Sequence, residues 1–229
     1  MKIIAHRCGT DKFHEQTISA ARFSLENNVD YVEVDIRFTC DGKPVVIHDP
    51  TPEKLYGVRT PVCEMTEKEF LALRRIADKS VCGHSFKDYL ECGIDRMLFH
   101  CKEGGERLNL VLDLCKEYGI LEKVVFGVQS VKDVRIVKAY GDIKVLAFMP
   151  SAMMISDFSE AGADYLRLWE KWCNEENIAK VKATGKKLWI MSDSPTVGEV
   201  TDGCYEFYSQ CGADGILVNN ILPAMDFYC

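Results

Sequence analysis

No run of apolar residues in this 229-residue chain reaches the ~18 that a membrane-spanning helix needs. The opening Met1-Lys2-Ile3-Ile4-Ala5 runs into polar residues, with no apolar leader region and no small-residue cleavage site, so no signal peptide is expected. Cations are outnumbered, with 28 Lys and Arg against 35 Asp and Glu and a net charge of -7. That balance argues against unaided binding to nucleic acid or an anionic membrane, where basic patches supply the attraction. Cys-x-x-Cys spacing is absent although there are 11 cysteines, an odd number. Many of them sit inside apolar patterns, which points to reduced core thiols and a cytoplasmic protein rather than a disulfide scaffold. Internal repeats and low-complexity tracts are also missing. With 47% hydrophobic and 28% charged residues, the chain has the composition of one ordinary globular domain spanning residues 1–229.

What is present is alternation. Short β-branched runs lie at Ile3–His6, Tyr31–Arg37, Pro44–His48, Arg96–Cys101, Val124–Val128, Lys144–Phe148, Tyr165–Leu168, Lys187–Met191 and Gly215–Val218. Helical spacing appears between most of them, at Ile18–Glu26, Glu67–Ile76, Glu106–Tyr118, Val131–Ala139, Glu175–Lys182 and Val200–Gln210. Strand followed by helix, repeated, predicts a parallel sheet. Nine strands are one too many for an eight-stranded barrel. A parallel crossover needs roughly a dozen residues, yet only Phe38–Lys43 separates the second and third runs. It contains Asp41-Gly42, a two-residue hairpin signal. Folding Pro44–His48 back as an antiparallel arm leaves eight strands and predicts a (β/α)8 barrel. The long connection over residues 49–90 predicts an excursion near the barrel mouth.

The same hairpin predicts chemistry. With Asp41-Gly42 at the tip, Cys40 faces Lys43 and Asp35 falls opposite His48, with Glu33 two residues away on the same face. Glu33 and Asp35 alternate with Val32, Val34 and Ile36 on a strand whose two faces a barrel buries. Two buried carboxylates without a cation are very costly, so the pair points to a divalent metal. His6 and His48 bracket the pair, and imidazole titrates near neutral pH, so protons can be moved at the same place. Other groups carry less. A zinc site from His6, Cys8 and His100 matches no standard spacing. No acid–base order points at Cys101 as a nucleophile. Trp169 and Trp172, with Arg167, are placed either at the substrate mouth or in ordinary packing, and the charge-rich Glu170–Lys182 reads as a solvated helix face.

At these residues the chain resembles the glycerophosphodiester phosphodiesterase family. The resemblance rests on His6-Arg7-Cys8, Glu15-Gln16-Thr17, Glu33-Val34-Asp35, Asp41-Gly42 and Val45-Val46-Ile47-His48-Asp49. Pro61-Val62-Cys63-Glu64-Met65-Thr66, Trp189 and Gly212-Ala213-Asp214-Gly215-Ile216 extend it, densely over residues 3–75 and thinly beyond. It implies a phospholipase-C-like (β/α)8 barrel and cleavage of glycerophosphodiesters to glycerol 3-phosphate and an alcohol. It implies His6 and His48 as general acid and base, and Glu33, Asp35 and Glu15 around a metal, with Glu15 either ligating or orienting Arg7. Arg7, Lys102 and Trp189 would bind substrate. A route by attack of the glycerol 2-hydroxyl and hydrolysis of a cyclic phosphate is also implied.

Three departures stand out. The family carries Glu-x-Lys on a later strand, and here the run is Phe99-His100-Cys101-Lys102. The resemblance makes Mg²⁺ or Ca²⁺ the expected metal, and imidazole for carboxylate shifts preference from Ca²⁺ toward Mn²⁺, Zn²⁺ or another transition metal, so Mn²⁺ and Zn²⁺ stand as the alternatives. Cys8 replaces a glycine, placing a side chain beside the phosphate loop, and Asn219 stands where an aspartate is expected. The leading expectation is a metal-dependent hydrolase of small phosphodiesters, with no nucleic-acid partner and a homodimer left open. The rivals are a silent barrel that binds a phosphorylated ligand, and a phospholipase- or lyase-type variant releasing a cyclic phosphate.

Overall fold

Ten strands form one sheet in the computed structural model, which describes residues 1–193, 195–201 and 203–228. They are β1 (Lys2–Ala5), β2 (Tyr31–Phe38), β3 (Pro44–Val46), β4 (His84–Ser85), β5 (Met97–Cys101), β6 (Val125–Val128), β7 (Lys144–Ala147), β8 (Tyr165–Trp169), β9 (Lys187–Met191) and β10 (Gly215–Val218). Eight of them run parallel in the order β1-β2-β5-β6-β7-β8-β9-β10. β1 pairs with β10 on one side and β2 on the other, which closes the barrel. The parallel (β/α)8 barrel is therefore the fold.

Helices return the chain between strands. They are α1 (Ile18–Glu26), α2 (Glu53–Tyr56), α3 (Glu67–Ala72), α4 (Phe86–Glu91), α5 (Glu106–Glu117), α6 (Val131–Tyr140), α7 (Ile155–Glu160), α8 (Glu175–Ala183), α9 (Cys204–Cys211) and α10 (Ile221–Tyr228). Several start on side-chain caps. Thr17 accepts from the Ala20 amide, and Thr66 with Glu69 and Ser85 with Asp88 form capping boxes. The short α2, α4, α7 and the terminal α10 were not among the expected helices, because one or two turns carry too little periodicity to be read. The Glu67–Ile76 pattern stops at Ala72: Leu73 turns extended, and Arg74 pairs antiparallel with Cys82.

Alternation along each barrel strand sorts two cores. Ile4, Leu98, Val125, Leu146, Trp189 and Leu217 fill the barrel interior, while Ile3, Val32, Val34, Phe99, Phe126 and Ile216 face the helices. The excursion packs a small core of its own from Val45, Ile47, Tyr56, Val62 and Phe70.

The hairpin register differs from the one expected. β3 does run antiparallel to β2, but Ile36 faces Val46, Arg37 faces Val45 and Phe38 faces Pro44. The Thr39 amide donates to the Lys43 carbonyl, and Gly42 sits at φ 75°. The turn is thus a three-residue loop with a left-handed glycine, not a two-residue one. One extra residue slips the pairing by one, so Ile47, not His48, lies opposite Asp35, its amide donating to the Asp35 carbonyl at 3.1 Å.

Candidate active site

Most of the side chains at issue leave the C-terminal ends of barrel strands, the face where such barrels carry their chemistry, and His48 joins them from the antiparallel arm. Inward positions supply His6 after β1, Glu33 and Asp35 on β2, His100 and Lys102 at the end of β5, Gln129 after β6, Phe148 after β7, and Arg167 and Trp169 on β8. His6, Glu33, His48, His100, Lys102, Gln129, Phe148, Arg167 and Trp169 line one cavity of about 330 Å³. His48 reaches it despite the shifted register because the chain bends out of β3 after Val46. Arg37 on β2 then takes the His48 carbonyl at 2.8 Å and fixes that bend.

At the floor of this end are two fully buried carboxylates. Glu33 Oε1 lies 3.2 Å and Asp35 Oδ1 3.1 Å from His100 Nδ1. Donor atoms of Glu33, Asp35 and His100 fall within 4.8 Å of one another, a spacing that could hold a metal ion. Lys102 Nζ is 2.7 Å from Asp35 Oδ1 and 2.9 Å from His100 Nδ1. Burial pushes the Glu33 carboxyl up to about 7, helped by the charge of Asp35. Burial pushes Asp35 the same way, but Lys102 and His100 outweigh it and hold the carboxyl well below its usual range. His100, stacked on Phe148 at 3.8 Å, is driven down to about 4 by burial and by Lys102. Burial also lowers His6 and His48, so both imidazoles are neutral near pH 7 and can accept protons.

The chain between β1 and α1 explains how the pair is held. Arg7 and Cys8 adopt left-handed backbone, φ 51° and 72°, and Gln16 does so at 55°. The turn aims the Arg7 amide at Glu33 Oε2, 2.7 Å away, and the returning Gln16 donates Nε2 to Asp35 Oδ2 at 2.6 Å. That return places Glu15 on Arg7, Oε2 to Nη1 3.0 Å, outside the Glu33–Asp35–His100 group, so the structure does not bring Glu15 to the metal cluster. Buried Arg75 from the excursion pins the Glu15 carbonyl. Arg7 does not line the cavity, but its charge depresses both His6 and His48.

Two further expectations need correction. Cys8 does not project toward a phosphate: its thiol is buried against the Glu33 carbonyl and the Tyr89 hydroxyl, and burial pushes its pKa far up. Cys101 is likewise buried on the helix side and driven up, and neither thiol lines the cavity. Trp189 points into the barrel, but one layer too deep. It is fully buried against Tyr165, ring centroids 4.4 Å apart, and Met191 lines the cavity on that strand instead.

Sequence reasoning passed over Gln16, Gln129 and Phe148. Gln129 Nε2 is 2.9 Å from His100 Nε2. The available signal was position, since Gln129 and Phe148 each follow directly on a barrel strand.

The family model described as "Glycerophosphoryl diester phosphodiesterase family" matches residues 6–184. Glycerophosphodiester phosphodiesterase 1 of Rattus norvegicus is 36% identical over 75 residues, which cover 33% of this chain and 23% of that protein. The chain thus spans less than a third of this curated relative. A glycerophosphodiester phosphodiesterase structure from Agrobacterium tumefaciens str. C58 superposes with a TM-score of 0.78 at 20% identity, covering 96% of both chains. One from Thermotoga maritima gives 0.77 at 19% identity, covering 98% of this chain and 97% of that one. At such identities these structures speak for the fold.

Proposed function

Because the chain belongs to the glycerophosphoryl diester phosphodiesterase family, we propose that it hydrolyses small glycerophosphodiesters to glycerol 3-phosphate and an alcohol, using a divalent metal. The observation that carries this is His6 and His48 facing one cavity over the buried Glu33–Asp35–His100 group.

The residues present fit a cation. Glu33 is a fully buried carboxylate whose pKa is raised by desolvation and by the charge of Asp35, a condition that a positive ion relieves. Glu33, Asp35 and His100 would hold it, and when bound it would polarise a phosphoryl oxygen. Two carboxylates with one imidazole suit Mn²⁺ or Zn²⁺ as well as Mg²⁺, and suit Ca²⁺ less.

The protein's own groups then divide the work. Arg7, its guanidinium steadied by Glu15, and Lys102 supply positive charge to the phosphate. One histidine takes the proton of the attacking glycerol 2-hydroxyl as its oxygen bonds to phosphorus. The other, which enters the step as the minority imidazolium, gives its proton to the departing alkoxide. Water then opens the cyclic phosphate with the roles reversed. His48 is braced by Asp49, Nδ1 to Oδ1 2.7 Å. No helix among the described residues is long and apolar enough to cross a membrane, and the ten described cysteines are free, in keeping with a reducing cytoplasm.

Lys102 favours a second reading. Its ammonium sits against Asp35 and His100, where it neutralises the acidic pair without a metal, which suits a barrel that binds a phosphorylated ligand and does not turn it over. The deciding experiment is release of glycerol 3-phosphate from glycerophosphocholine, glycerophosphoethanolamine and glycerophosphoglycerol, with Mg²⁺, Ca²⁺, Mn²⁺ or Zn²⁺ added to chelated protein. Metal-dependent release, lost in folded His6→Ala and His48→Ala, supports the hydrolase. Accumulated cyclic phosphate marks the lyase variant, and binding without turnover marks the silent barrel.

A further inference from the structure

Arg167 is a buried cation that no carboxylate among the described residues pairs with. It is 4% exposed, and its Nε and Nη1 have no hydrogen-bond partner among the described residues. The carboxylate whose charge it feels, Asp193, is engaged by Lys171 at 2.5 Å. Its guanidinium carbon lies 3.8 Å from the Trp169 ring centroid, 5.4 Å from Phe148 and 5.8 Å from Trp172. Arg167 lines the same cavity as His6, His48 and His100. β8 lies four strands around the barrel from β2 in either direction, so Arg167 faces Glu33 and Asp35 across the cavity.

Aromatic faces return only part of the hydration that a guanidinium loses on burial. The strain registers in its pKa, which burial lowers to about 9. A neutral hydroxyl would fill the vacant donors but leave the charge uncompensated. A carboxylate or phosphate would answer both, because its paired oxygens match the planar N–H fork. The Trp169 face that could receive a quaternary ammonium is already covered by the guanidinium.

Resting on the phosphodiesterase reading, we propose that Arg167 is a specificity residue that receives an oxyanion carried by the alcohol portion of the diester. The glycerol arm bears no charge, and the scissile phosphate belongs with the histidines and Lys102 across the cavity. It follows that the cavity disfavours choline- and ethanolamine-type head groups.

Three diesters test this with the full chain and its preferred metal: glycerophosphoglycolate, glycerophosphoethanol and glycerophosphocholine, whose alcohols are anionic, neutral and cationic. The wild type should prefer the glycolate diester over the neutral one by at least about tenfold in kcat/KM, the worth of one charge-assisted pair of hydrogen bonds, and should process the choline diester worst. In Arg167→Met the glycolate-to-ethanol ratio should fall to near one. Arg167→Lys, which keeps charge but not the fork, should give an intermediate ratio and serves if the methionine variant does not fold. A wild-type order without the anionic preference overturns the proposal. So does a methionine variant that slows all three diesters by one factor, since Arg167 would then hold the scissile phosphate. If no diester is turned over, the phosphodiesterase reading fails by itself, and tryptophan fluorescence titration with the same three compounds decides Arg167. Tighter binding of the glycolate diester in the wild type alone supports it, and equal binding of all three overturns it.

Discussion

His6 Nδ1 lies 2.6 Å from Oδ1 of Asn219, 213 residues further along the chain. Asn219 is held in turn, its Nδ2 donating to the Val197 carbonyl at 2.9 Å, so its oxygen is the atom turned to the imidazole. An amide oxygen only accepts, which leaves the His6 proton on Nδ1 and a lone pair on Nε2. Asn219 is where an aspartate was expected, and the exchange keeps the orientation while removing a charge.

Asn219→Asp restores that charge beside His6 and should raise its pKa. Activity is lost as pH falls and His6 protonates, so the acid limb of kcat/KM against pH should move to higher pH, by about a unit. Asn219→Ala should lower kcat by about a hundredfold with a smaller effect on KM, since the ring loses its bearing but substrate contacts persist. A pH profile unmoved in the aspartate variant would separate His6 from the rate-limiting proton transfer.

Glu33 makes metal-free stability depend on pH. Its folded pKa, about 7, lies above its ordinary 4.5, so its stabilising protonated form is fully present below 4.5 and is lost as pH rises through 7. The buried histidines titrate oppositely, losing stability as pH falls below 6.5, so the Glu33 contribution must be isolated by difference. In chelator, Glu33→Gln should gain on the wild type between pH 5 and pH 8, by roughly 3 kcal/mol at most at about 1.4 kcal/mol per pKa unit. Urea unfolding across that range measures it.

His100 sets the ion preference. Chelation should abolish turnover, and Mn²⁺ or Zn²⁺ should restore it better than Ca²⁺. His100→Glu should reverse that order toward Mg²⁺ and Ca²⁺ by supplying a third hard oxygen. Lys102→Met removes the ammonium beside Asp35 and should tighten divalent binding while lowering kcat, as calorimetry and turnover would show. Weaker metal binding in that variant would mean that Lys102 does not compete for Asp35.

Gly42 gives a clean test of the hairpin. A Cβ there would meet nothing within 4 Å, so Gly42→Ala is penalised by the left-handed backbone alone, at φ 75°. The expected loss is about 1 kcal/mol in urea unfolding with an unchanged m-value.

Local patterns were readable because they depend on neighbours in the chain. Lys187–Met191, Gly215–Val218 and Ile18–Glu26 begin and end where β-branched runs and the Thr17 cap put them. Connection length, a local quantity too, singled out Pro44–His48 as the antiparallel arm, which forms over Pro44–Val46, and so made the barrel count come to eight. Glu33 and Asp35 were legible because alternation on a strand buried on both faces forces two carboxylates inward.

Relationships between distant residues were not readable. The turn at Gly42 chose among loops of nearly equal energy and moved the register by one residue. Whether a barrel tryptophan meets substrate is a matter of depth along the axis: Trp189 and Trp169 share the inward face, but only Trp169 stands at the rim. The contacts of Asn219 with His6, Gln16 with Asp35, and Lys102 with both Asp35 and His100 arise when closure brings strand ends together. The sequence alone marked His6, Glu33, Asp35 and His48 as candidates and determined that a barrel would form around them. Tertiary structure alone decided who faces whom, because hydrogen bonds and buried charges act over a few ångströms of space and are indifferent to separation along the chain.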